Sequence, residues 1–292
     1  MAILSRTPQP RSWLARWWES GRWIEALIAL TLGIMSLAML YPFLWMAFSS
    51  FKTGADILTI PIQLLPREWT LDSFNKVINT TNLPRSYINS LGLSAVIVAT
   101  VLFTSSLGGY IFARLEFPGR DILFVFILST TMVPFLTLLI PLYIVMQWLG
   151  LLNSYMAIWV PSMVSSFGIF LCRQFIYTIP RDLYEAAKID GSGDFAIYWR
   201  IILPLIKPVL AALAIFTFLS SFNSYLWPLV VLNDEKMYTL PLVLAQLRST
   251  YGGTNYHLIM PGSLLACIPA LVIYLLFQRN FVRGIALSGL KG

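Results

Sequence analysis

Charge is what this chain has little of. Asp, Glu, Lys and Arg make up 11% of its 292 residues while 58% are hydrophobic, against roughly 25% charged in an ordinary soluble domain. A water-soluble globule cannot cover that much apolar surface, so a membrane protein is the class that remains. Cysteine is nearly absent: Cys172 and Cys267 lie within or at the edge of apolar runs and in no metal-ligand spacing, which implies packed thiols and no disulfide. The single histidine, His257, has no second ligand nearby, so a metal role is not supported. There is no GxxxxGK[ST] phosphate loop, no HExxH helix, no nucleophile elbow and no pair of carboxylates in an apolar run. The chain has no evident chemistry of its own.

Six stretches are long enough to cross a hydrocarbon core that needs about 20 residues per helix: Ala26 to Phe48, Tyr87 to Ala113, Ile122 to Leu149, Ser154 to Cys172, Pro208 to Leu232 and Leu258 to Phe277. None contains Asp, Glu, Lys, Arg or His. Proton- and sodium-coupled transporters bind their coupling ion to ionisable groups at depth, and voltage sensors carry charge there, so both are disfavoured. The expectation is an all-α polytopic bundle of six transmembrane helices, residues 26–277, between an interfacial segment at 1–25 and a tail at 278–292. Ten Trp and thirteen Tyr suit a chain with two interfaces to line. Placing the amino terminus in the cytoplasm puts every basic residue there except Lys52, Arg67, Lys76, Arg85, Lys236 and Arg248, most of which fall in two longer loops that weigh less in the positive-inside rule. Both termini are then cytoplasmic. The net charge of +7 is spread among loops, which fits anionic lipid and no nucleic acid. Segment 1–25 alternates Arg6, Arg11, Arg16 and Arg22 with Trp13, Trp17, Trp18 and Trp23 and lacks a signal-peptide cleavage site, which reads as an interfacial anchor.

The proline-rich outer loop from Ser49 to Ser86 predicts extended pieces and short helices, and the loop from Asn233 to His257 predicts a helix over Leu240 to Leu247 and a break at Gly252-Gly253. These loops either touch an extracytoplasmic partner or only connect spans. Ser105, Gly108 and Gly109 offer close-approach faces on the second span, and Pro134, Pro141, Pro161, Pro228 and Pro269 can kink theirs.

The segment from Pro180 to Pro208 organises the rest. Pro180 suits a first turn, Asp182 and Glu185 stand near the amino end, Lys188 near the carboxyl end, and Gly191 offers a stop. Leu183, Ala186 and Ala187 give a low apolar face on which another surface can close. A second short helix follows, with Asp194 as its cap and Phe195, Trp199 and Ile202 on one stripe, until Leu203-Pro204 turns into the next span. Glu185-Ala186-Ala187, Gly191 after three residues, then Ile201, Leu203 and Pro204 resemble the EAA signature of binding-protein-dependent ABC importer permeases. Asn89-Ser90, Phe112 to Leu115 with Phe117-Pro118-Gly119, Ile140 to Tyr143, Gly150 to Asn153, Phe167 to Phe170, Leu226 to Leu229 and Gly289 to Gly292 are similar to its carbohydrate-uptake branch, in particular the maltose-G-like inner-membrane permease.

The resemblance implies a type I permease bundle in a bacterial or archaeal plasma membrane. It implies a second homologous permease chain, two ABC ATPase subunits holding ATP and magnesium, and an extracytoplasmic sugar-binding protein; no cofactor is expected on this chain. Glu185, Ala186, Ala187, Asp190, Gly191, Ile201, Leu203 and Pro204 become the ATPase-coupling residues, with Glu185 either reaching basic groups on the ATPase or capping its own helix. The carboxyl tail, Lys291-Gly292, either contacts the ATPase or frays. Where relatives carry a polar trio such as Trp-Asn-Asp, this chain has Phe222-Asn223-Ser224-Tyr225. Asn223, Tyr225 and Trp227 either line the substrate pathway or pack, and the partner permease can hold most of the sugar. An importer of a non-sugar solute and a polytopic scaffold without ATPase coupling are the alternatives.

Overall fold

A computed structural model describes residues 22–57, 59–249 and 255–289, with no strand among them. The expected interfacial anchor before Arg22, the Gly252-Gly253 break and the Lys291-Gly292 contact lie outside the described residues. The chain enters as α1 (Arg22–Ser49), whose surface from Ile24 to Leu44 is uncovered within the single chain. A short outer helix, α2 (Asp72–Thr80), leads to α3 (Leu83–Arg114), the long central strut. Then follow α4 (Arg120–Ser129), α5 (Phe135–Trp148), α6 (Met156–Ser162), α7 (Ser166–Tyr177) and α8 (Arg181–Ile189). The remainder is α9 (Asp194–Ile197), a π turn (Tyr198–Ile202), α10 (Leu203–Leu205), α11 (Lys207–Phe222), α12 (Leu226–Val231), α13 (Leu240–Ser249) and α14 (Tyr256–Gly289). The expected outer-loop helix at Leu240 is α13, and α14 runs on past Phe277 to Gly289.

Among the described residues four helical units are long and apolar enough to cross a membrane, and counting each of two bent pairs as one span brings the number to six. Three expected spans are interrupted, each near a proline. The stretch Ile122 to Leu149 is not one rod: α4 and α5 meet at 104°. Pro134 pushes Val133 into an extended conformation (φ −82°, ψ 118°), ending the first half in a 3₁₀ turn at Thr130–Met132. Ser154 to Cys172 divides at Met163–Ser165, and Thr104 donates to the Met163 carbonyl there at 2.8 Å. Pro208 to Leu232 stops being helical at Asn223, because Pro228 has no N–H for the Ser224 carbonyl and its ring crowds it.

α7 lies in the closest contact with α3. A Cβ at Gly109 would stand 2.5 Å from Cys172 Cβ, so these backbones meet only because the residue is glycine. Ser105, as expected for a close-approach face, is fully buried beside it. One apolar core joins α3, α6, α11 and α12 around Val101, Leu213 and Trp227. A second sits at the α8 end around Tyr110, Ile176, Tyr198 and Ile206. A third closes the opposite end, where Val77 and Leu83 meet Phe222 and Leu240.

Candidate functional site

Two features stand out, one at the α8 end and one inside the bundle. α8 begins after Pro180 and carries Asp182 in its first turn and Lys188 in its last, the charge order its dipole favours. It ends in a Schellman turn: the Gly191 N–H donates to Lys188 O at 3.0 Å and the Ser192 N–H to Ala187 O at 2.9 Å. Gly191 has φ +80°, and a Cβ there would meet nothing within 4 Å, so backbone conformation alone asks for glycine.

The two alanines of the signature part ways. Ala187 is buried against the bundle, whereas Ala186, Leu183 and Glu185 face outward together with Ile189, which is 86% exposed. Sequence reading missed Ile189, although its place three residues after Ala186 puts it on the same face. Glu185 does not cap its helix; it pairs with Arg181 at 3.5 Å, and Arg181 also reaches Glu116 at 2.9 Å. Asp190 is exposed. Ile201 and Leu203 pack on the core beneath, and Pro204 is at the surface.

Asp194 is no cap either. Its carboxylate accepts from Lys188 Nζ at 2.8 Å and from the Tyr184 hydroxyl at 3.0 Å. The Tyr110 hydroxyl donates to the Asp194 carbonyl at 3.1 Å. The Lys188 bond holds the Asp194 carboxyl below its usual range, and the same bond raises Lys188. The expected stripe also breaks: Ile202 is fully buried while Phe195 and Trp199 are exposed and stacked on each other. The π turn inserts a wider winding between them, which rotates Ile202 off their face. Tyr198, within that turn, is buried with its hydroxyl 2.8 Å from Ser106 Oγ.

Inside the bundle a cavity of about 860 Å³ opens between α5, the α6–α7 break and α11. α11 contributes Leu213, Phe216, Thr217, Ser220 and Ser221, which the i, i+3, i+4 pattern puts on one face, and Ser224 follows just past its end. Ser162, Ser165, Phe135, Phe167 and Trp227 complete much of the wall, and no charged side chain among the described residues lines it. The Ser221 hydroxyl is 3.1 Å from Ser94 Oγ. The hydroxyls of Thr217, Ser220 and Ser224 make no bond to another group among the described residues, unlike Thr100 or Ser162, which bond back to their own helix. Of the three residues expected in a pathway, only Trp227 reaches this wall, and it is also packed: buried, donating to Ala157 O at 2.9 Å and edge-on to Phe135. Asn223 and Tyr225 are exposed outside the lining, because the chain leaves the α11 spiral at Asn223. The hydroxyl row stands in the sequence as Thr217, Ser220, Ser221 and Ser224, spaced three, one and three residues apart beside the aromatic motif.

The family model for the binding-protein-dependent transport system inner membrane component matches residues 105–286, spanning the α8 loop and the α11 wall alike. The chain belongs to this family. It is 37% identical over 268 residues to the arabinooligosaccharides transport system permease protein AraQ of Halalkalibacterium halodurans, covering 90% of this chain and 96% of its relative. It is 34% identical over 253 residues to the lactose transport system permease protein LacG of Rhizobium radiobacter, covering 87% and 92%. Among solved structures, a chain of a bacterial ABC transporter involved in import of the acidic polysaccharide alginate superposes with a TM-score of 0.81 at 26% identity, covering 94% of this chain and all of the other. A transport permease of this family is a multi-pass membrane protein, which the six helical units of this chain match.

Proposed function

We propose that this permease forms half of the translocation pathway of an ATP-driven importer and that its cargo is an uncharged sugar or oligosaccharide delivered by an extracytoplasmic binding protein. The observation that carries the cargo class is the cavity wall. Hydroxyls on α11 can exchange hydrogen bonds with sugar hydroxyls, aromatic faces can cover the apolar side of a pyranose or furanose ring, and a wall without Lys or Arg offers a carboxylate or phosphate no compensation for lost water. The family supports the binding protein, and the named relatives support carbohydrate over a non-sugar solute.

In this reading the α8 end is cytoplasmic and both termini lie on that side. α8 seats in a separate ATPase chain, one of two that hold ATP and magnesium, with Glu185, Ala186 and Ile189 facing it and Ala187, Gly191, Ile201, Leu203 and Pro204 shaping the mount. Asp190 closes the helix next to Gly191. A second, homologous permease covers the apolar flank that α1 and the α4–α5 bend leave uncovered. Trp227 belongs to the pathway as a wall residue of the cavity, outside which Asn223 and Tyr225 stand.

The test is co-purification with the candidate second permease and ATPase, then ATP hydrolysis in lipid with binding protein loaded from a panel of neutral and uronate-containing oligosaccharides. Stimulation confined to neutral cargo is the expected result, lost on Glu185→Ala plus Gly191→Val while the complex still assembles. Stimulation by acidic cargo alone overturns the cargo class, and failure of any ATPase to co-purify overturns the importer reading.

A further inference from the structure

The loop that carries α8 is joined to its flanking helices by weak covalent connections. Before it, α7 ends and Thr178–Pro180 intervene; after it, Pro204 and Pro208 bring no N–H to the helical ladder, and the axis turns by 77° at Ile206. A push on α8 transmitted through these joints alone is dissipated in bending.

A different connection is built across the bundle. Ser106, Tyr110 and Arg114 lie four residues apart on α3 and so form one row along a single face. Each holds a different part of the loop and its base. Ser106 bonds the buried Tyr198 hydroxyl in the π turn, and Tyr110 bonds Asp194, which in turn holds Tyr184 and Lys188 of α8. Arg114 donates to the carbonyls of Ile176 and Ile179 at 2.8 and 2.6 Å, the open end of α7. Arg114 is only 8% exposed and no carboxylate among the described residues lies within salt-bridge distance of it, so its charge is held by these carbonyls.

We infer that Ser106, Tyr110 and Arg114 are positioning residues that lock the α8 loop to α3, so that a displacement of α8 reaches the cavity through α3 and not along the backbone into α11. The inference rests on the coupling role proposed for α8 and concerns the path the motion takes. α3 also lends Ile97 and Val101 to the cavity wall, which makes it a direct lever on the cargo space.

The experiment compares one chemical change at two places on α3. Tyr110→Phe removes the hydroxyl that holds Asp194; Tyr87→Phe removes one that donates to Leu265 O at 3.2 Å, away from the loop. In proteoliposomes holding the assembled complex, cargo moved per ATP hydrolysed falls about fivefold for Tyr110→Phe, the weight of one hydrogen bond. It stays near the native ratio for Tyr87→Phe. Spin labels at Arg200→Cys and Val96→Cys, in a chain with Cys267→Ala, report a loop-to-α3 distance that is the same with and without trapped ATP; adding Tyr110→Phe makes it depend on ATP. Equal losses from both variants, no loss from Tyr110→Phe, or a native loop-to-α3 distance that shifts with ATP overturns the inference. Absence of the ATPase from the purified complex overturns instead the coupling role on which it rests.

Discussion

Gly191 shows how a single residue can be required for its backbone and not for its size. Its φ of +80° closes α8, and the open space around it would admit a side chain. Gly191→Asn, which tolerates the left-handed region, is therefore expected to retain transport, whereas Gly191→Val is strained by about 1–2 kcal/mol and reopens the last turn. Both variants should reach the membrane in native amount, since nothing packs on that position. Surface expression measured beside cargo-stimulated hydrolysis checks this, and loss of Gly191→Val from the membrane contradicts it. The need for glycine was legible in the sequence, because a helix stop depends on neighbours within a turn. Ile189 was not singled out: its exposure follows from how α8 is rolled on the bundle, and that roll is set by Ala187 meeting the core.

At the scale of the element, α8 and α9 are joined by the Lys188–Asp194 pair, whose pH dependence follows from its direction of shift. Asp194 titrates below the usual 3.8, so its contribution is present above that value and is lost as pH falls through the lowered folded value. Lys188 titrates above the usual 10.5, so its contribution is present below that value and is lost as pH rises past the raised one. Hydrogen exchange over residues 184–198 should thus stay flat from pH 9 down to about pH 4 after correction for intrinsic rates. Asp194→Asn should speed exchange there about two- to fivefold at neutral pH, the modest effect of a half-exposed pair. A step near pH 6 would point to a different titrating group. The sequence reading made Asp194 a helix cap, a reasonable use of its type and place. The fold spends it instead on three donors from α3 and α8, and only one of those, Lys188, lies within a helical turn or two of it in the chain.

For the whole molecule, the α3–α7 contact is the joint on which both functional features rest, since α3 anchors the loop and α7 borders the cavity. Gly109→Ile forces a side chain into Cys172 and the Arg173 backbone. Overpacking of this kind costs about 1–3 kcal/mol or more where the obstacle is backbone, so the variant should lower the bundle's melting temperature and its yield. Gly92→Ile on the same helix meets nothing within 4 Å and should change neither. Thermal unfolding in detergent distinguishes them, and equal stability of the two would remove this contact from its central place.

The sequence by itself determined the solvent in which this chain folds, the six apolar units, the short helix outside them and the family to which they belong. Each of these depends on composition or on residues within a few positions of one another, where helix propensity, capping and proline geometry act. Only the tertiary structure decided that α5 turns off α4 by 104° and walls a cavity with α3, the α6–α7 break and α11, that a hydroxyl row and not Asn223 or Tyr225 faces it, and that Asp194 belongs to α3 as much as to its own helix. Proline marked where the chain could bend but not by how much, because the angle is settled by what packs in the bend. Tyr110 and Asp194 are 84 residues apart. No local preference couples positions at that distance; they meet because α3 and the α8 loop bury their apolar faces in the same core, and burial then selects the partners that satisfy their polar groups.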